Sequence, residues 1–81
     1  MVESSYPVSL SAAVERAVED YLSTMQGEEI RDLYELLLSE VEPALLKQVL
    51  AHTNDNQSAT AVILGLNRGT LRKKLRKYGL L

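Results

Sequence analysis

Six cations lie between Asn67 and Leu81: Arg68, Arg72, Lys73, Lys74, Arg76 and Lys77. No acid stands among them. Side chains of this type have no nucleophile or general base to offer at neutral pH. Their chemistry is anion recognition. A guanidinium fork matches a phosphate or the O6 and N7 acceptors of guanine, and an ammonium acts as a point charge on phosphate. The other 66 residues hold the remaining three of nine cations and all eleven acids, a local charge of −8 against −2 for the whole chain. The overall charge therefore conceals a basic segment, and the clustering is the signal. Elsewhere the sequence argues against catalysis. It has no cysteine, one histidine (His52) without a partner of metal-ligand spacing, and no phosphate-binding glycine loop. No enzyme activity, cofactor, metal or small-molecule substrate is expected.

Two short helices must position the cations. Asn56 is a good N-cap, and Gln57 to Leu64 has the residues of a helix. Gly65 ends it, because glycine tolerates the left-handed conformation at a helix C-terminus. Leu66 and Asn67 complete the turn, and Asn67 caps a second helix over 68–78. Ala61, Gly65 and Leu71 supply what a steep helix crossing needs: a small residue at the contact, glycine in the turn and an apolar residue pointing back. On a wheel of ~100° per residue, Leu71, Leu75 and Tyr78 share one side. Thr70, Arg72, Lys73, Arg76 and Lys77 occupy the outer arc with Gly69, and Arg68 and Lys74 flank the apolar side. The spacing predicts a helix-turn-helix whose second helix lies in a major groove of double-stranded DNA.

The upstream chain reads as two longer helices. Leu10 to Met25 repeats apolar residues at helical spacing (Leu10, Val14, Ala17, Val18, Tyr21, Leu22, Met25), and Gln26-Gly27 ends it. Ile30 to Ala51 carries a wider apolar stripe, more than one amphipathic partner helix would cover. Pro43 falls inside it, so a kink is expected, with two separate helices as the alternative. Residues 1–9 read as a flexible arm, since Tyr6-Pro7 argues against helix there. With 81 residues, 46% of them apolar, a single chain buries too little surface, and a partner subunit resolves the tension. Apolar runs are too short to span a membrane, and no signal peptide is evident, so a cytoplasmic chain is expected.

Asn56-Gln57, Ala61 and the run LGLNRGTLRKKLRKYG from Leu64 to Gly79 resemble the C-terminal end of the Fis family of nucleoid-associated, DNA-bending proteins. DLYELLLSEVE, from Asp32 to Glu42, extends the likeness, and it continues more loosely to about Leu10. The resemblance implies an all-α fold of four helices. The two long helices (10–53) would interlock with those of a second subunit into an intertwined dimer core, and residues 54–81 would form the helix-turn-helix. It implies a homodimeric global transcription regulator, activator or repressor, that bends sites with A/T-rich centres. By match to the family's motif, Asn67, Arg68 and Lys73 would contact bases. Asn56, Gln57, Ser58, Thr70, Arg72, Lys74, Arg76 and Lys77 would contact the DNA backbone. For Lys77, stabilisation of the helix dipole is a competing role.

The sequence departs from the family at three places. Too few residues precede Leu10 for the β-hairpin that touches a DNA invertase in longer relatives, so stimulation of inversion is not expected. The helix-interior proline often stands one residue later, where this chain has Ala44. Asn54-Asp55 replaces the Arg-Gly of well-studied members, in a loop that can touch flanking DNA and RNA polymerase; a lost cation and an added acid weaken the DNA contact. The same basic string occurs in NtrC-type activators, so the alternative is the DNA-binding domain of such a protein. The start at Met1 and the absence of a Walker motif favour the former. A third reading is an acidic helical dimer with a basic end that binds protein.

Overall fold

The computed structural model describes residues 9–81 and contains four helices with no strand among those residues: α1 (Leu10–Thr24), α2 (Leu33–His52), α3 (Gln57–Leu64) and α4 (Arg68–Lys77). The described residues divide into two compact units, 9–31 and 32–81. The expected arm lies outside the described residues except for Ser9, which is the N-cap of α1. Its hydroxyl accepts from the Ala12 N–H at 3.1 Å, satisfying one open donor of the first turn. None of the residues of α1 is buried; Leu10 and Val14 on its apolar face are exposed.

In the second unit α2 begins at Leu33, three residues later than its apolar pattern predicts. Asp32 takes a left-handed conformation (φ 53°), which ends helical continuity toward Ile30. Pro43 does not divide the helix. The turns on either side hold it continuous from Leu33 to His52, although the missing N–H leaves the Ser39 carbonyl without its usual donor. One long helix, not two, is therefore the outcome.

The core of this unit joins three helices. Leu46 and Leu50 come from α2, Ala61 from α3, and Leu71 and Leu75 from α4, with Leu64, Leu66, Tyr78 and Leu80 around them. Leu46, Leu71 and Leu75 are the largest fully buried side chains. Burying each stabilises the fold by roughly 1.5–3 kcal/mol relative to exposure. Ala61, 3% exposed, is the small residue at the contact that the spacing predicts.

The same device ends α2, α3 and α4. At each, a left-handed residue lets two later amides return to the last turn: Asp55 N to Leu50 O (2.8 Å) and Asn54 N to Ala51 O (3.2 Å); Leu66 N to Ala61 O (2.9 Å) and Gly65 N to Val62 O (3.2 Å); Leu80 N to Leu75 O (2.8 Å) and Gly79 N to Arg76 O (3.2 Å). Gly65 has φ 71°, a value that glycine adopts without steric cost. These stops bring the three helices together over very short connections.

Candidate nucleic-acid interface

The turn between α3 and α4 is built by two asparagines. The Asn56 side-chain oxygen accepts from the Ala59 N–H at 3.0 Å and starts α3. The Asn67 side-chain oxygen accepts from the Gly69 N–H at 2.7 Å and starts α4. A Cβ on Gly69 would come within 3.1 Å of that oxygen, so the glycine gives the Asn67 cap its room. With its oxygen engaged, Asn67 has its amide N–H groups left for a base or a phosphate.

Buried hydroxyls fix α3 against the end of α2. Thr60 is fully buried. It donates to the Asn56 carbonyl at 2.8 Å and shares a 2.7 Å hydroxyl–hydroxyl hydrogen bond with Thr53. Thr53 in turn lies 3.1 Å from the Leu50 carbonyl. Sequence reasoning missed this pair. The available signal was a threonine next to Ala61 on the inner face of a short helix, whose hydroxyl needs a partner once buried.

On α4 the predicted arc is exposed, and so is Arg68 at its edge. Arg68, Thr70, Arg72, Lys73, Arg76 and Lys77 face solvent, while Leu71 and Leu75 are wholly enclosed. Arg72 donates to the Gln57 side-chain oxygen at 3.0 Å. This bond brings the first turn of α3 against α4, so Gln57 and Arg72 join one surface. One of five guanidinium donors is used, which leaves the others for an anion. Ser58 is exposed beside Gln57 in that first turn, where backbone N–H groups have no intrahelical acceptor.

Lys74 differs from its neighbours. Its Nζ donates to Glu42 Oε2 on α2 at 2.9 Å, with both side chains about two-thirds buried or more (32% and 28% exposed). The Tyr78 hydroxyl donates to the other Glu42 oxygen at 2.5 Å. The Tyr78 bond, followed by the Lys74 bond, holds the Glu42 carboxyl below its ordinary range, and the same carboxylate raises the Tyr78 phenol. Of the six cations, five are left to present positive charge.

Asn54 and Asp55 both have positive φ (55° and 65°) at the entrance to α3, and both are exposed. His52 lies in the last turn of α2. Among the described residues no group of three or more His, Cys, Asp or Glu could hold a metal ion, and no helix is long and apolar enough to cross a membrane.

Known proteins resemble this chain in sequence. Residues 37–78 match the family described as "Bacterial regulatory protein, Fis family", a span covering most of α2 and the whole of α3 and α4. The chain is 49% identical over 71 residues to proteins named "DNA-binding protein Fis" from Histophilus somni (strain 2336), Aliivibrio fischeri (strain MJ11) and Aliivibrio salmonicida (strain LFI1238). Each match covers 88% of this chain and 72% of the relative. With a helix-turn-helix built on Ala61, Gly65 and Leu71, and with this identity over most of its length, the chain belongs to the Fis family of bacterial regulatory proteins.

Proposed function

We propose that this chain acts as a homodimeric, nucleoid-associated DNA-binding and DNA-bending regulator of transcription. The observation that carries the reading is the exposed surface of α4: five cations, no acid, held by a capped turn against α3. A protein surface of this kind binds phosphate without regard to sequence and reads bases with its leading residues. Arg68 reads guanine through its fork, and Asn67 and Lys73 are the accompanying base contacts. Asn56, Gln57, Ser58, Thr70, Arg72, Arg76 and Lys77 meet phosphates. Lys74 adds a weaker backbone contact, because Glu42 already neutralises much of its charge.

The dimer is supported by α2. Tyr34, Leu38, Val41 and Leu45 are all exposed and recur at helical spacing on that helix. A contiguous apolar stripe of this length is what a partner subunit covers. Two reading helices set closer than one turn of DNA, as the family resemblance implies, reach successive major grooves only if the duplex bends. Preference for A/T-rich centres then follows from the cost of deformation. Neither Asn54 nor Asp55 offers a cation, so the loop's contact with flanking DNA is weakened.

The test is fluorescence anisotropy on a palindromic duplex with G·C pairs at its flanks and an A/T centre, at several salt concentrations. Binding as a dimer, with log affinity falling about 0.9 per phosphate contact against log salt, is the expected result. No binding at low salt sinks the proposal and moves the protein-interaction reading to the front.

A further inference from the structure

Glu42 stands on α2, and both of its carboxylate oxygens are taken by the C-terminal end of α4, through Lys74 and Tyr78. Among the described residues these are the only side-chain hydrogen bonds joining α2 to α4. Asn67 and Arg68 lie at the opposite end of α4. Between the two ends, Leu71 and Leu75 sit in the core and act as a pivot. The packing of the buried leucines sets the crossing of α4, but packing of this kind leaves a spread of about 15–20° in the angle. Of the two directional bonds on this carboxylate, the one from Tyr78 lies beyond the pivot and restrains the tilt within that spread, while the one from Lys74, between Leu71 and Leu75, holds the carboxylate in place.

The geometry points to Glu42, acting through Tyr78 and Lys74, as a positioning residue that fixes the angle of α4 against α2 within the range packing allows, and thereby the separation of the two reading helices in the dimer. This rests on the DNA-binding reading above. The lever is large enough to matter. Arg68 lies about five residues from the middle of the pivot, about 7.5 Å along the helix at 1.5 Å per residue. A tilt of about 10° therefore moves its end by about 1.3 Å, well outside the few tenths of an ångström over which a hydrogen bond to a base edge holds its strength. Since α2 also carries the apolar stripe assigned to the dimer seam, an error in tilt is applied in both subunits.

The experiment compares wild type, Tyr78→Phe, Glu42→Gln and the double variant. Each is titrated onto palindromic duplexes whose half-sites are separated by one base pair more or less than the best spacing, below every variant's melting midpoint. Tyr78→Phe changes no charge at neutral pH, so its salt slope stays that of wild type. Its preference for the best spacing falls about fivefold or more, in keeping with the loss of a hydrogen bond to a charged group. The double variant is no worse than the worse single, because both act through one carboxylate. If Tyr78→Phe does not fold, Glu42→Gln gives the same reading of spacing preference. Spacing preference unchanged in the folded variants, or effects that add, overturns the inference, since a purely stabilising role lowers the melting point without touching spacing. Wild type that binds DNA without regard to spacing overturns it too, leaving DNA binding intact. Wild type that binds no duplex at low salt removes both.

Discussion

Removing Arg76 and removing Lys74 should have different consequences, although both are cations on one helix two residues apart. Arg76 is exposed and makes no ion pair among the described residues. The Lys74 ammonium lies 2.9 Å from a Glu42 oxygen. In a dimer each substitution acts twice. Arg76→Ala removes two phosphate contacts, so the slope of log affinity against log salt becomes shallower by about 1.8. Between 50 and 200 mM salt, a change of about 0.6 in log salt, wild type then loses about twelvefold more affinity than the variant. Lys74→Ala removes a charge that Glu42 already offsets, and its slope changes by no more than about 0.5. Anisotropy titrations over that salt range, on one duplex at one temperature, measure both slopes. Equal slopes for the two variants would refute the partition of the cations into a free arc and a paired lysine.

Arg68→Ala should cost ~1–3 kcal/mol on a preferred site and flatten preference at one base position, read by competition among duplexes substituted at that position. Asp55→Gly should stabilise the fold by about 0.5–1 kcal/mol in a thermal or denaturant melt, because glycine relieves the left-handed backbone at φ 65°; a destabilised variant contradicts the strain at that position. Leu45→Asp, which places a charge in the exposed stripe of α2, should shift sedimentation from two chains to one while the helical signal persists. The Glu42 carboxyl is depressed in the fold, so its contribution to stability is complete above the ordinary glutamate range and is lost as pH falls through the depressed value. Glu42→Gln should therefore flatten the acid limb of melting temperature against pH. An acid limb identical to wild type would show that the bonds from Tyr78 and Lys74 do not persist in solution.

Much of the fold was legible along the chain because its determinants are local. Asn56 and Asn67 are caps by side-chain type and place, and both accept the expected first-turn amides. Gly65 stops α3 because a left-handed residue is required there. The buried and exposed sides of α4 follow from a period of 3.6 residues, and Leu71 and Leu75 are buried as that period demands. The start of α2 was misplaced because its apolar pattern runs on through Ile30, whereas a backbone angle at Asp32 breaks the helix. Whether Pro43 bends or divides α2 depended on whether the neighbouring turns outweigh one lost hydrogen bond, which no pattern of residue types records.

The sequence by itself determined where the charge lies, which residues cap α3 and α4 and stop α3, and that the last two helices form a helix-turn-helix. The tertiary structure decided which groups are spent on one another. Lys74 and Tyr78 reach Glu42 across 32 and 36 residues, Arg72 reaches Gln57 across 15, and Thr60 meets Thr53 inside a corner that exists only once α2 and α3 have packed. Periodicity places each side chain on a face of its own helix. Whether two such faces meet depends on the crossing of the helices, which the shape of the buried leucines around Ala61 sets, and which spacing along the chain does not encode.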